Sequence, residues 1–285
     1  KEYYPNATIE GRPINFPDRE LERIPYHMHP SLKGLYSAAA NAISDCKLVP
    51  YRIENYRKTL KDETKIFRGE LLSTLFRILL LKRLESSIWA FRCTVQNIVD
   101  LFKATLKKLG KGEVMSVENF REYLKTVELS KEDSSTIELV LNQFFEKTED
   151  FDIALMKTDL ESDLEILNGI LILLPAEQAK VKEIDSKFQE VERKLDATKQ
   201  RIIIFTSFMD TATYLFKHLQ SPSRTIGLVT GDEAKLWNSD EEIGTNRAKI
   251  INLFAPKSND YIVPTTEKEI QILISTDVLS EAINL

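Results

Sequence analysis

The sequence predicts an α/β protein: a mainly helical block over residues 1–198, then a lobe of parallel strands over 199–285. Two observations carry this. Apolar residues recur at helical spacing through most of the first part, and near residue 199 the pattern changes to short apolar runs alternating with short helical stretches. The order after the change is strand, helix, strand, helix, strand, the layout of a right-handed parallel α/β unit.

The first 28 residues read as loop and strand. Pro5, Gly11, Pro13 and Pro17 exclude a helix, and Leu21 to Met28 alternates enough for a strand that Pro25 confines to an edge. A helix is expected from Ser31 to Asp45, and a further helical stretch from Pro50 that breaks between Lys61 and Thr64. From Ile66 to Leu109 the pattern is strongly helical. Leu71, Leu72, Leu75, Phe76, Leu79 and Leu80 form one broad apolar face, continued by Trp89, Phe91, Val95, Ile98, Val99 and Phe102 and ended by Gly110 and Gly112. Ser116 and Ser130 are read as N-caps of two shorter helices. Pro175 suits the first position of a long helix, whose Val181, Ile184, Phe188, Val191 and Leu195 make a short heptad seam for a neighbouring helix.

In the lobe, strands are expected at Arg201–Phe205, Thr225–Val229 and Ile270–Ile274. Helices are expected at Asp210–Leu219, Thr245–Phe254 and from Val278 onward. No internal repeat or low-complexity tract appears.

Composition excludes several classes. Of the 285 residues 42% are apolar and 29% charged, as in an ordinary globular protein. The longest aliphatic runs, Ile78–Leu81 and Ile170–Leu174, fall far short of the roughly 20 residues of a membrane span, and no leader is read at the start. Cys46 and Cys93 stand apart from each other and from any His cluster. That argues against a disulfide framework and a zinc site and fits a reducing, cytoplasmic setting. The net charge of −5 hides an asymmetry: residues 57–111 carry thirteen Lys and Arg against five Asp and Glu, and residues 112–199 eleven against twenty-one. The basic stretch reads either as a solvated helix face or as a phosphate-facing surface, so the overall acidity does not exclude nucleic acid.

In a parallel sheet, ligands meet the carboxyl ends of the strands. Three loops leave such ends: Thr206-Ser207-Phe208-Met209-Asp210, Thr230-Gly231-Asp232 and Ser275-Thr276-Asp277. Hydroxyls and N–H groups at strand-to-helix turns suit phosphate oxygens, although a threonine there is commonly only an N-cap. Taken in order, these loops resemble the second RecA-like lobe of superfamily 2 helicases, a P-loop NTPase fold. Ile204-Phe205-Thr206 resembles motif IV. Thr230-Gly231 is similar to the turn that touches the nucleic-acid backbone. Ser275-Thr276-Asp277-Val278-Leu279-Ser280-Glu281-Ala282-Ile283-Asn284-Leu285 resembles motif V, and Arg247–Phe254 the helix between them. Phe16-Pro17-Asp18-Arg19, Leu35-Tyr36, Asp185-x-Lys187 and Lys82-Arg83-Leu84-Glu85-Ser86-Ser87 with Ala90-Phe91 are similar to the inter-lobe stretch of the Swi/Snf branch. Its bacterial members include the RNA-polymerase-recycling ATPase and helicases fused to phospholipase-D-like nucleases.

The resemblance covers about Arg12 to Leu285. It implies a helical inter-lobe insertion followed by an incomplete second lobe, a chain that begins after the first lobe and stops just past motif V. Thr206, Ser207, Thr230, Gly231, Ser275, Thr276 and Arg83 are then nucleic-acid contacts, with pairing to an acid in the helix bundle as the alternative for Arg83. Asp277, Glu281, Ala282 and Asn284 face the nucleotide or the lobe interface, Ala282 standing where the family has Gly.

The chain has no Gly-x-x-x-x-Gly-Lys-[Ser/Thr] loop, acidic Mg²⁺ box or arginine-rich final motif. The resemblance therefore places ATP and Mg²⁺ mainly on the first lobe of the complete protein, and no catalytic or metal-binding residue is expected here. The implied partners are nucleic acid, chiefly duplex DNA, with RNA polymerase or another DNA-bound protein, and no membrane. The alternative is a non-catalytic helical scaffold carrying a degenerate nucleotide-binding-like domain. A dinucleotide enzyme is disfavoured because no Gly-x-Gly-x-x-Gly follows a strand.

Overall fold

The computed structural model describes residues 20–115 and 149–276, with the backbone of short strands at 8–9, 12–13 and 145–147. Strands β1 (Thr8–Ile9) and β2 (Arg12–Pro13) form a small antiparallel pair. Residues 20–29 have no regular structure, so the edge strand expected at Leu21–Met28 does not form. Pro25 withholds a donor, and among the described residues no strand lies alongside to pair with it.

Helix α1 (Leu35–Asp45) begins later than expected. A 3-10 turn at Pro30–Leu32 precedes it, and Gly34, at φ +83°, makes the left-handed step between them. The stretch from Pro50 is a pair of 3-10 turns, Val49–Tyr51 and Ile53–Tyr56. The helical pattern of 66–109 resolves into α2 (Glu63–Ser86) and α3 (Ile88–Leu109). Between them Ser87 is extended (φ −158°, ψ 149°) and caps α3 by accepting from the Ala90 N–H at 3.0 Å.

The broad apolar face expected on α2 is only partly used. Gly69, Ser73, Leu80 and Leu84 face the core, whereas Leu71, Leu75 and Leu79 are about half exposed and Phe67 is 70% exposed. The close approach is made by the small residues. A Cβ on Gly69 would lie 2.7 Å from the Tyr51 carbonyl oxygen, so α2 sits tight on the 3-10 turn and turns its larger side chains outward.

Strands β3 (Glu113–Met115) and β4 (Phe145–Lys147) pair antiparallel; the helices expected from Ser116 and Ser130 lie outside the described residues. Helix α4 (Ile153–Ile172) follows, capped by Asp152, and packs against α3 and α1. The single long helix expected from Pro175 is two helices, α5 (Gln178–Ile184) and α6 (Ser186–Ala197). Asp185 breaks it by leaving helical geometry and accepting from the Phe188 N–H at 3.0 Å.

The lobe contains β5 (Ile202–Phe205), α7 (Met209–His218), β6 (Thr225–Val229), β7 (Ala234–Asn238), β8 (Glu242–Thr245), α8 (Arg247–Phe254) and β9 (Ile272–Ser275). The sheet order is β5-β9-β6-β7-β8. Its first three strands are parallel, as expected, but β7 and β8 add an antiparallel hairpin, which makes the sheet mixed. One face carries Ile226, Leu228, Ile272 and Ile274 and shares a continuous core with α7 and the helical block. The other carries Val229 and Leu273 and is covered by α8 through Ile250, Leu253 and Phe254.

Candidate functional site

The site lies where three strands end at one level. The register aligns Phe205, Ser275 and Val229 across β5, β9 and β6. The next residue in each strand is a threonine: Thr206, Thr276 and Thr230. The ladder continues through them, the Thr206 N–H donating to Ser275 O (3.0 Å) and the Thr276 N–H to Val229 O (3.2 Å). A row of three threonines thus crosses the carboxyl edge of the parallel part of the sheet, where ligands of such sheets gather.

The three hydroxyls have different surroundings. Thr230 is buried and closes the turn into β7: its N–H donates to Glu233 O at 2.9 Å and its hydroxyl accepts from the Glu233 N–H at 3.2 Å. Thr276 is 9% exposed and Ser275 fully buried, its hydroxyl donating to Thr276 O at 2.8 Å. Thr206 is partly exposed, and Ser207 and Gly231 are exposed. Asp277, Glu281, Ala282 and Asn284 lie outside the described residues, as do most of the motif V resemblance and Phe16 to Arg19.

Against Thr206 sits the corner between α2 and α3. Arg83 donates to the Asp210 carboxylate at 2.7 Å and lies 4.8 Å over the Phe208 ring, so it pairs with an acid of the lobe rather than of the helix bundle. Ser86 Oγ is 2.9 Å from Thr211 Oγ1 and 3.4 Å from Thr206 Oγ1, and Ser87 Oγ is 3.1 Å from Thr211 Oγ1. From α6, Lys187 donates to Glu85 O (2.9 Å) and Ser86 O (3.0 Å), satisfying carbonyls at the end of α2 that have no intrahelical partner. A partly enclosed cavity of about 110 Å³ opens between these groups.

Burial governs the ionisable groups here. It lowers the Lys187 ammonium, against the opposing pull of Asp185 and Glu85, and it raises the Asp185 carboxyl despite the Phe188 N–H. Tyr214, at the cavity wall, is raised by burial and by the Asp185 charge, and its hydroxyl makes no hydrogen bond of normal geometry. Cys93 is pushed up to about 11 by burial and by Asp210, which leaves it a protonated thiol. Among the described residues no group of His, Cys, Asp or Glu is placed to hold a metal, and no helix is long and apolar enough to cross a membrane.

Part of the basic stretch of 57–111 is used inside the molecule, while Lys58, Lys61, Arg68, Lys82, Lys103, Lys107 and Lys111 are exposed. Arg77 donates to Ile43 O and Cys46 O at the end of α1, and Arg92 donates to Leu171 O and Leu174 O at the end of α4. Lys108 pairs with Glu113. Each arginine thus supplies donors to carbonyls at the end of a helix. A count of charges along the sequence does not separate helix caps from surface, and no sequence motif assigns a role to Thr211 or Asp210. The signal that could have found them is the Ser86-Ser87 pair, a helix-breaking dipeptide inside an otherwise helical pattern. No protein-family model, curated protein or solved structure matches this chain.

Proposed function

We propose that this chain is the later part of a Swi/Snf-type superfamily 2 motor: a helical inter-lobe insertion joined to a second RecA-like lobe that couples ATP hydrolysis to movement on duplex nucleic acid. The observation that carries the reading is the row of Thr206, Thr276 and Thr230 at the carboxyl ends of three adjacent parallel strands. The motif-like order of those loops supports it, and so does the seating of the Lys82-to-Ser87 segment on the first of them. Phosphoryl transfer needs a phosphate cradle, Mg²⁺ ligands and a positioned water. This chain supplies none of the loop residues for that cradle, so ATP and Mg²⁺ belong to a first lobe elsewhere in a cytoplasmic protein, and the chain alone hydrolyses no ATP. Its share of the work is to follow the backbone of the nucleic acid.

Thr276→Ala in the complete protein tests this. The variant is expected to fold and to keep basal ATP hydrolysis while losing most of its stimulation by duplex DNA. Full stimulation with lowered thermal stability would make Thr276 a structural residue and remove the main support for the motor.

One observation favours a second reading, a non-catalytic helical scaffold: Arg77, Arg92 and Arg83 are committed to internal partners. Duplex binding separates the two. A motor segment binds with an affinity that falls steeply with salt; a scaffold shows no such binding.

A further inference from the structure

We propose that Ser86, Ser87 and Thr211 are positioning residues for Thr206: they form a directed chain of hydroxyls, starting at the N-terminus of α3, that leaves the Thr206 proton as an outward donor for an anionic oxygen, the phosphodiester of a nucleic-acid backbone. This rests on the motor reading above and adds to it how the helical insertion acts on the lobe.

The direction follows from counting donors. The Ala90 N–H can only donate, and Ser87 Oγ accepts it at 3.0 Å. Ser87 is 6% exposed and Thr211 5% exposed, so their protons need acceptors within the protein. If Ser87 donates to Thr211 (3.1 Å), Thr211 to Ser86 (2.9 Å) and Ser86 to Thr206 (3.4 Å), every buried proton has one. Run the other way, the chain ends with Ser87 accepting twice and its own proton stranded in a buried site. A stranded donor costs about 1–3 kcal/mol, which fixes the direction from Ser87 through Thr211 to Ser86; in the chain we propose, Ser86 passes its own proton on to Thr206. Thr206 Oγ1 then accepts from Ser86 and, at 3.5 Å, from the Phe208 N–H. Both lone pairs are engaged and the proton is left over. Thr206, like Ser86, is partly exposed and borders the cavity, so an external acceptor can reach it.

The chain has a fixed end and a soft end. Lys187 holds the carbonyls of Glu85 and Ser86, and the Arg83–Asp210 pair with the Phe208 ring brackets the loop. The two longest contacts, 3.4 and 3.5 Å, are both at Thr206. A shift of the α2–α3 corner by a few tenths of an ångström therefore makes or breaks the Thr206 end first. The helical insertion thereby sets whether the lobe presents its donor.

The test is fluorescence anisotropy of a labelled duplex oligonucleotide with the 285-residue chain at one fixed ionic strength, comparing Thr206→Val, Thr211→Val, Thr211→Ser, Ser86→Ala and the Thr206→Val/Thr211→Val pair. Thr206→Val is expected to weaken binding roughly fivefold, the worth of one hydrogen bond. Thr211→Val and Ser86→Ala should reproduce at least half of that in log Kd, Thr211→Ser should restore it, and the double variant should bind no worse than Thr206→Val alone. Ser86 is partly exposed at a helix end, so its variant keeps the test valid if the buried Thr211→Val unfolds. Weakening by Thr206→Val with wild-type binding by Thr211→Val and Ser86→Ala overturns the chain and leaves the motor reading standing. Additive losses in the double variant also overturn it. No loss with Thr206→Val removes Thr206 from the interface and overturns both.

Discussion

Asp163 is fully buried on α4, and its two oxygens accept from the N–H groups of Lys47 (2.5 Å) and Leu48 (2.7 Å). Leu48 is in the left-handed region at φ +56°, a conformation disfavoured for a branched side chain, and the carboxylate fastens the turn that needs it. Burial raises the Asp163 pKa, against the pull of the Lys47, Leu48 and Val49 N–H groups. Asp163→Asn turns an amide N–H toward one of those donors, and we expect it to lower stability by about 1–3 kcal/mol in denaturant unfolding; an unchanged midpoint would mean that the turn holds itself. His218, in the last turn of α7, gives a pH dependence. It lies tilted against Tyr214 and edge-on to Phe188 and contacts Gln178, and its pKa is lowered by burial first and by Lys182 and Lys217 next. A depressed histidine binds fewer protons folded than unfolded, so its contribution is whole above the ordinary value of 6.5 and is lost as pH falls from there through the folded pKa. Thermal melts between pH 5 and 7 should show a slope that His218→Gln flattens; equal slopes would show that the ring is not held neutral by its surroundings.

Elements divide into those the sequence announces and those it conceals, and the division has physical causes. Strands β6 and β9 are legible because they are buried throughout and Thr225–Val229 and Ile272–Ser275 supply the apolar runs that burial needs; β5 is a half-buried edge strand, legible from the three isoleucines of Ile202–Phe205. The β7–β8 hairpin is hidden because Ala234–Asn238 and Glu242–Thr245 are only partly buried, with β8 at the sheet edge, and are held by ladder bonds and by the Trp237 Nε1–H donating to Ser221 O at 3.0 Å. The breaks at Ser87 and Asp185 were concealed because apolar spacing continues through them; only the side-chain caps mark the turn. For the site, the sequence placed the threonine loops at the correct edge of the sheet and left Thr211, Asp210 and the Ser86–Ser87 corner without roles, since contacts between residues more than 100 apart leave no local pattern. Gly227 shows how closely α8 approaches the sheet. A Cβ there would lie 2.7 Å from Ile250 Cγ2 and 3.0 Å from Ile270 Cδ1. Gly227→Ala should cost about 1–3 kcal/mol by overpacking, and Ile250→Ala should recover part of that loss in the double variant. Purely additive losses would exclude that contact as the cause.

At the scale of the whole molecule, the sequence boundary near residue 198 separates two kinds of secondary structure without separating two cores. The cluster that contains Leu32, Phe91 and Leu160 in the helical block also contains Tyr214, Ile226 and Ile274 in the lobe, with α3 packed directly on α7. Ordinary domains each enclose a core and meet through smaller, more polar surfaces. Here α7 lies on one face of the sheet and α3 of the helical block packs on α7 within the same core, and the Arg83–Asp210 pair and the hydroxyl contacts join the two halves beside it. Partly exposed ion pairs of this kind contribute at most about 1 kcal/mol, so the shared apolar core dominates the attachment. Unfolding the lobe would bare the helical face it rests on, and neither half has a reason to persist alone. We therefore expect a single cooperative transition. The two tryptophans report on the two halves: Trp89 lies in the first turn of α3 and Trp237 in β7. Single-tryptophan variants, Trp237→Phe and Trp89→Phe, followed in guanidinium by fluorescence and by far-ultraviolet circular dichroism, should give coincident midpoints within each variant. A lobe signal from Trp237 that melts well before the helical dichroism would show two independent units. It would also sever the path by which the α2–α3 corner could act on Thr206, because a joint that opens on its own cannot hold a hydroxyl in place.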